Sequence, residues 1–250
     1  MIRIFDDPEY LSRAAADLFM QSARQAVNER GRFTVALSGG HTPRRTYQLL
    51  ARRPWRDRTP WPNIHFFWGD ERCVAADDDR NNALMARRAL LDHVAVPSSH
   101  VHPMRCGADP RAGAARYSAL LRAHLSAEGP ALDLVFLGLG QNGHTASLFP
   151  WDPVIGENKR WAAEVYVTEQ GEYRITLTPV LINAARVVAF LVSGGEKAQI
   201  LEAVLEGAMD SRQLPAQTIR PRSGRLIWML DRAAALRLHA HTLQGESSYE

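Results

Sequence analysis

The sequence predicts an α/β fold: a mainly parallel, doubly wound sheet with helices on both faces, Rossmann-like in layout, and a small antiparallel strand pair. Short apolar runs alternate with amphipathic helical segments along the chain. Several of these runs are apolar at every position, which is typical of strands covered on both faces. Because no long linker or shift in composition interrupts the pattern, we expect one domain over residues 1–250, with a frayed tail after about residue 242.

Capping residues and apolar spacing of three and four predict the helices. Asp7 is the expected N-cap of the first helix, Pro8 its first residue and Gly31 its end. Residues 54–62 are expected to form a loop. The other predicted helices cover residues 42–53, 82–93, 110–126, 196–206 and 233–239.

Short apolar segments predict the strands. The predicted members of the parallel sheet are residues 33–37, 64–68, 132–137, 187–192 and 226–230. Residues 161–167 and 173–178 are predicted to form the antiparallel pair.

Composition excludes several classes of protein. The chain has 250 residues, 46% of them hydrophobic, and a net charge of +3, which is too small for a nucleic-acid-binding or polybasic membrane protein. No apolar run approaches the ~20 residues that cross a bilayer. Cys73 and Cys106 lack the spacing of a zinc ribbon or a disulfide framework, and the first residues are unlike a signal peptide. We therefore expect a cytoplasmic protein that binds neither nucleic acid nor membrane.

Two Ser-Gly-Gly turns predict an anion site. Residues 38–40 and 193–195 each follow a strand and precede a helix. Glycines let the backbone approach an anion, and the helix N-terminus directs free N–H groups and a partial positive charge toward it. Lys197 is one of only two lysines among thirty basic residues, and it follows the second turn. Phosphate is the expected ligand.

His144 is the candidate general base. It follows the glycine-rich residues 138–143 at the end of a strand, where the ligand crevice of a parallel sheet lies. The glycine spacing matches a dinucleotide fingerprint, but Pro150 leaves no room for the long helix that this fingerprint requires. An imidazole with a pKa near 6.5 can accept a proton at neutral pH. Ser147 has neither an evident base nor a GxSxG elbow, which argues against a serine nucleophile.

The segment Asp70-Glu71-Arg72 lies at another strand exit. Side chains alternate along an extended segment, so we expect Asp70 and Arg72 to share a direction. The Arg72 guanidinium suits phosphate or a developing oxyanion. His100 and His102 form a histidine pair, but no third ligand follows at a recognised spacing, so we expect no metal site.

Together these segments resemble the 6-phosphogluconolactonase family over about residues 33–235. The matching stretches are ALSGGxTP at residue 36, WGDER at residue 68 with Asn82 downstream, GxGxxGHTASLFP at residue 138, RxTLT at residue 174, SGGxK at residue 193 and Pro215-Ala216. The resemblance implies hydrolysis of 6-phospho-D-glucono-1,5-lactone without cofactor or metal, on a fold shared with glucosamine-6-phosphate deaminases.

The resemblance also implies a set of site residues. His144 matches the base that activates water, while Arg72 and Lys197 with the first Ser-Gly-Gly match the phosphate site; Asp70 is included with the catalytic group. Asn142 stands where the family usually has aspartate, and asparagine cannot stabilise an imidazolium by charge. The predicted substrate-binding residues are Ser38, Gly39, Gly40, Thr42, Arg72, Asn82, Gly140, Asn142, Gly143, Arg174 and Lys197.

Two alternative functions stay open at this point. A sugar-phosphate isomerase or deaminase would share the fold, but the asparagine and glutamate that deaminases carry before the proline are replaced here by residues 146–149. A non-catalytic sugar-phosphate sensor would keep the phosphate site without needing His144. The expected partner is a small sugar-phosphate lactone, and the expected assembly a monomer or weak homo-oligomer.

Overall fold

The computed structural model describes residues 1–125, 131–240 and 242. Its main sheet has six strands in the order β1-β9-β8-β5-β2-β3, and all neighbouring strands are parallel. The strands of the described residues are β1 (Ile2–Phe5), β2 (Phe33–Leu37), β3 (Ile64–Trp68), β4 (Asp70–Arg72), β5 (Leu134–Leu137), β6 (Ala162–Val167), β7 (Glu172–Leu177), β8 (Val187–Val192) and β9 (Arg225–Asp231).

Helices connect and cover these strands. The α-helices of the described residues are α1 (Pro8–Arg30), α2 (His41–Leu50), α3 (Trp55–Arg58), α4 (Asn82–Ala89), α5 (Pro110–Leu125), α6 (Pro179–Ile182) and α7 (Ala198–Glu206). The 3₁₀ helices are Trp61–Asn63, Leu91–His93, Ser98–His100, Pro153–Gly156, Thr168–Gln170, Gly195–Lys197 and Pro215–Thr218. Within the described residues, no helix has the length and apolar character needed to span a membrane.

Complete burial of the central strands explains their uniform apolar sequence. Every residue of β2, β5 and β8 is buried, because helices cover both faces of the sheet. The predicted α/β fold class is therefore confirmed. The carboxyl ends of β2, β3, β5 and β8 lie at one edge of the sheet, where their turns can form a common site.

The caps of α1 are those the sequence predicts. The Asp7 carboxylate accepts hydrogen bonds from the backbone N–H groups of Glu9 and Tyr10 at 2.8 and 2.9 Å. Gly31 ends the helix with a left-handed φ of 74°, a conformation that glycine adopts without steric cost.

The antiparallel pair is confirmed, but it belongs to a three-stranded sheet in the order β4-β7-β6. The sequence analysis places Asp70–Arg72 at the exit of a strand and predicts no separate strand there, because three charged residues carry no apolar periodicity. Pairing with β7 makes this segment a strand, in which Asp70 lies opposite Thr176 and Arg72 opposite Arg174.

Several predicted boundaries are wrong. The sequence predicts no strand before the first helix, but Ile2–Phe5 forms β1 by pairing with β9. The helix predicted to residue 53 ends at Leu50, and the loop predicted over 54–62 contains α3 and a 3₁₀ turn. The helix predicted to residue 93 ends at Ala89. The end predicted near residue 126, and the frayed tail after residue 242, lie outside the described residues.

The helix predicted over residues 233–239 is a series of turns. The carboxylate of Asp231 caps the first turn by accepting from the N–H of Ala234 at 2.7 Å. The following backbone bonds mix spacings of three and four residues, so no regular helix propagates.

Cys73 and Cys106 form a disulfide, contrary to the prediction from their spacing. The bond joins the residue after β4 to the loop before α5, 33 positions along the chain. Their separation in sequence carries no pairing signal, because the fold alone brings them together.

Candidate active site

A cleft of about 720 Å³ opens at the carboxyl edge of the main sheet. The turns after β2, β5 and β8 line it, together with side chains of β4 and β7. Segments more than 150 residues apart in sequence therefore meet at one site, as the parallel topology predicts.

The two Ser-Gly-Gly turns are in direct contact. Thr42, in the first turn of α2, shares a 2.6 Å hydrogen bond with the hydroxyl of Ser193. Gly40 and Gly194 have left-handed φ values of 105° and 97°, which favour glycine. No side chain caps α2, so its N-terminal N–H groups and partial positive charge are directed at the cleft. This arrangement suits a bound anion.

Asn82 joins the first turn to Arg72. Its Oδ1 accepts from Nη1 of Arg72 at 2.8 Å, and its Nδ2 donates to the backbone oxygen of Asp70 at 3.0 Å. A side chain at Gly39 would overlap Oδ1 of Asn82. The Arg72 guanidinium is thus held beside the Ser-Gly-Gly turn by neutral acceptors and keeps its positive charge available.

The His144 imidazole has a defined tautomer. Its Nδ1 lies 2.6 Å from Oδ1 of Asn142, which also accepts from the His144 backbone N–H at 3.2 Å. Because Oδ1 is an acceptor, Nδ1 carries the proton and Nε2 keeps its lone pair. The ring packs against Phe149 with centroids 4.5 Å apart. His144 is therefore oriented as a base.

Burial and nearby charges keep this imidazole neutral. Burial has the largest effect and lowers the pKa of His144 to about 4. The negative charge of Asp70 opposes this shift, while Arg174, Lys197 and Arg72 add to it, in that order. At neutral pH the base is ready to accept a proton, and Asp70 provides the charge that Asn142 lacks.

Asp70 lies at the centre of a buried polar network. Its Oδ2 accepts from the hydroxyl of Ser147 at 2.7 Å and lies 3.7 Å from Nη1 of Arg174. The Arg174 guanidinium also contacts Gln170 and lies 5.5 Å from the centre of the Phe149 ring. Burial lowers the pKa of Arg174. Ser147 thus orients Asp70 and is not placed as a nucleophile.

Glu71 points away from the cleft, as the alternation of β4 predicts for the residue between Asp70 and Arg72. Its carboxylate accepts from the N–H groups of Arg72, Asn82 and Ala83 at 2.9, 2.7 and 2.8 Å. It therefore fixes the start of α4 and the position of Asn82. Burial raises the pKa of Glu71 to about 7, against the opposing effect of these three donors.

The glycine-rich turn is fitted closely around His144. A side chain at Gly140 would overlap Nδ1 of the imidazole. Gly143 has a left-handed φ of 80°, and its oxygen accepts from the N–H of Ala216 at 2.9 Å. The Pro215–Thr218 turn therefore supports the loop that carries the base.

Of the predicted site residues, all but Gly143 line the cleft in the described part of the chain. Gly143 is buried against Leu214 and shapes the loop without reaching the ligand space. The sequence did not reveal the parts played by Glu71, Ser147, Phe149 and Gln170. Ser147 contacts Asp70, 77 positions away, so no local pattern could have identified that contact. Phe149 and Gln170 lie within five positions of the His144 and Arg174 side chains that they contact, but their residue types alone do not indicate these roles.

A separate group of histidines lies toward the amino ends of β2 and β3. His65, His102 and His124 each place a ring nitrogen within 4.8 Å of the others. The sequence predicts His100 and His102 as a pair without a third ligand at a recognised spacing, whereas the fold brings His65 from β3 and His124 from α5 close to His102. Burial lowers the pKa of His65 and His102 to about 4, with a further contribution from neighbouring histidines.

The comparison with protein families agrees with the site. The family described as glucosamine-6-phosphate isomerases/6-phosphogluconolactonase matches residues 6–228. The chain belongs to this family. The resemblance drawn from the sequence motifs is confirmed.

Relatives in this family match nearly the whole chain. A 6-phosphogluconolactonase of Synechocystis sp. is 44% identical over 214 residues, covering 84% of this chain and 86% of the relative. One of Nostoc sp. is 38% identical over 241 residues, covering 95% and 98%. The solved 6-phosphogluconolactonase of Trypanosoma brucei is 28% identical, with a TM-score of 0.82 and coverage of 96% and 98%.

Proposed function

We propose that this chain hydrolyses 6-phospho-D-glucono-1,5-lactone to 6-phospho-D-gluconate, with water as the nucleophile. The observation that carries the proposal is His144, whose Nδ1 is held by Asn142 so that Nε2 can accept a proton. The base lies in the same cleft as an anion-binding pair of turns. A phosphorylated sugar lactone fits both requirements.

Phosphate binding would position the substrate. The uncapped start of α2, Arg72 and Lys197 line the cleft beside the contact between Thr42 and Ser193. No hydrogen bond or ion pair among the described residues engages the Lys197 ammonium group. A phosphate there would anchor the sugar so that its ester carbon lies near the base, which converts a bimolecular reaction into an effectively unimolecular one.

The chemical step needs one base and a source of positive charge. His144 Nε2 removes a proton as the water oxygen bonds to C1, and the carbonyl becomes an oxyanion. Collapse of this intermediate breaks the bond from C1 to the ring oxygen, which receives the proton from the imidazolium. The acid product then loses its proton to solvent. General-base catalysis of this kind contributes about 10²–10⁴-fold.

Asp70 and Arg174 would act on the two charges that develop. Asp70 stabilises the imidazolium, since its effect on the His144 pKa is the largest of the charged groups. Arg174 lines the cleft and lies 5.5 Å from the centre of the Phe149 ring, against which His144 packs, so we assign the oxyanion to Arg174. A preorganised donor at an oxyanion is worth roughly 3–4 kcal/mol. Asp70 is thus a positioning residue, held by Ser147 and Asn82.

The test is hydrolysis of freshly prepared 6-phosphogluconolactone at mildly acidic pH, where spontaneous hydrolysis is slow. Acid release is followed by titration with and without protein. We expect a large protein-dependent rate that His144→Ala reduces to near background with the fold retained. His93→Ala is the matched control, since His93 is exposed and does not line the cleft. Full activity in His144→Ala would contradict the assignment of His144 as the base. In a separate assay, release of ammonia from glucosamine 6-phosphate would indicate a deaminase.

We also propose that the whole chain acts as one domain. It would be a monomer or weak homo-oligomer in the cytoplasm. In a reducing compartment Cys73 and Cys106 would be present as thiols. Sedimentation at micromolar concentration tests the assembly, and fractionation of the source cells tests the compartment.

A further inference from the structure

We propose that His65, His102 and His124 form a binding site for a zinc ion, separate from the cleft. The three imidazoles come from β3, from the segment after the Ser98–His100 turn and from the last turn of α5. Imidazole nitrogen is a preferred zinc ligand, and three histidines with an open fourth position form a known type of zinc coordination.

The distance between one nitrogen of His65 and one of His102 matches the spacing of two nitrogens that bind the same metal ion. Nδ1 of His65 and Nε2 of His102 are 3.2 Å apart, and the planes of the two rings are parallel. Two zinc–nitrogen bonds of about 2.0–2.1 Å at a tetrahedral angle place the nitrogens about 3.3 Å apart. At this separation the two nitrogens cannot both carry protons, so at least one lone pair is directed into the site.

The third histidine lies within reach by side-chain rotation. The rings of His102 and His124 have centroids 4.3 Å apart, and those of His65 and His124 5.6 Å. All three ligand nitrogens lie within 4.8 Å of one another. A rotation of the His124 side chain would bring its nitrogen to bonding distance of a metal held by the other two.

The surroundings hold the first two ligands in place. The N–H of His102 donates to the oxygen of Phe66 at 2.9 Å, and its oxygen accepts from the hydroxyl of Tyr117 at 3.2 Å. The His100 ring stacks on His65 with centroids 4.0 Å apart, and the His100 Nδ1 is buried without a hydrogen-bond partner among the described residues. A preorganised pair of ligands lowers the cost of ordering the site.

The positive charge of Arg32 acts on both His65 and His124. It opposes a dication, but it favours an anionic fourth ligand such as hydroxide or chloride. We therefore expect a site with three histidines and one exchangeable anion.

Chelator-treated protein dialysed against micromolar zinc chloride provides the test, with metal content measured by mass spectrometry. We expect one zinc ion per chain, and a visible absorption band of low-coordinate cobalt when Co²⁺ replaces zinc. Loss of affinity of at least about tenfold is expected in His65→Ala and in His124→Ala, because even residues behind the ligands contribute that much. Zinc should raise the melting temperature of the wild type and not that of these variants.

Three controls locate the ion. His93→Ala removes an exposed histidine and should leave zinc binding unchanged. His239→Ala removes the exposed member of a second group, formed with Glu202 and Glu206, and His144→Ala removes the base in the cleft. Unchanged binding in all three supports the proposal. Zinc lost in His239→Ala or His144→Ala, or no zinc bound to the wild type, would overturn it. Circular dichroism of each variant checks that the fold is retained. Because the readouts are metal content and melting temperature, the outcome does not depend on lactonase activity.

Discussion

At the scale of single residues, the properties of His144 are set by its neighbours. Asn142 fixes the tautomer, Gly140 leaves space for the ring and Asp70 opposes the effects of burial and of three cations. An asparagine can replace an aspartate beside the imidazole because the compensating negative charge is supplied by another strand.

The acid limb of the pH profile should report this environment. A base must be unprotonated, so kcat/KM should fall as the pH drops through the pKa of His144, which is about 4, and not near the ordinary value of 6.5. Asp70→Asn should move the midpoint to lower pH, because it removes the charge that stabilises the imidazolium. Lys197→Met should move it to higher pH.

Initial rates corrected for spontaneous hydrolysis, from about pH 3.5 to 8, give these midpoints. A wild-type midpoint near 6.5, or a shift of either variant in the opposite direction, would show that another group controls the profile.

Gly140→Ala should impair catalysis without unfolding the protein. The new methyl group would overlap the imidazole and displace it from Asn142. We expect kcat to fall at least about tenfold, since a small displacement of a catalytic group costs that much or more. Gly156→Ala is the matched control, because a methyl group there meets no atom within 4 Å and the residue does not line the cleft. Equal losses in both variants would argue against the steric explanation.

Much of the site could be predicted from the sequence, because its central parts are local. Each Ser-Gly-Gly turn and the loop before His144 are continuous segments whose backbone requirements are visible in their glycines. The Ser147 hydroxyl on Asp70 and the Glu71 carboxylate on α4 could not be predicted. Their partners are brought together only by tertiary packing.

At the scale of elements, the short strand β4 separates two tasks. Asp70 and Arg72 face the cleft, while Glu71 faces the start of α4. The same three residues therefore supply charge to the site and secure the helix that carries Asn82. The sequence predicted the alternation of side chains but not the strand, since pairing with β7 is a nonlocal interaction.

Gly39→Ala tests the link between the first turn and α4. The added methyl group would overlap Oδ1 of Asn82, which holds Arg72. We expect KM to rise several-fold with a smaller change in kcat, because Arg72 is assigned to the phosphate. Gly156→Ala, outside the cleft lining, meets no atom within 4 Å and serves as the control. A change confined to kcat would reassign Arg72 to the chemical step.

Element boundaries were the least predictable part of the fold. Helix α2 ends three residues before the predicted end, and residues 233–239 form turns where a helix was expected. A run of helix-forming residues does not determine where a helix ends. Nor does it ensure a regular helix when a buried carboxylate accepts a hydrogen bond from the first turn, as Asp231 does from the N–H of Ala234.

At the scale of the whole molecule, one disulfide connects the site to a distant loop. Cys73 follows Arg72 directly, and Cys106 precedes α5. Closing a loop of this length stabilises a protein by roughly 3–4 kcal/mol when the bond restricts the unfolded chain.

Reduction should therefore lower the free energy of unfolding by roughly that amount. Urea denaturation with and without dithiothreitol measures the change. A double variant, Cys73→Ser with Cys106→Ser, should match the reduced protein and show no response to the reductant. Equal stability of the oxidised and reduced wild type would show that the bond leaves the unfolded state unconstrained.

The hydroxyl contact between Thr42 and Ser193 also has a practical consequence for protein engineering. Cutting the polypeptide between Arg72 and His144 would place Thr42 and Arg72 in one fragment, and His144, Ser193 and Lys197 in the other. Neither fragment alone would hold a complete set of ligand groups. Attached to two test proteins, such halves would regain turnover only on reassembly, and could thereby serve as a complementation reporter of their association.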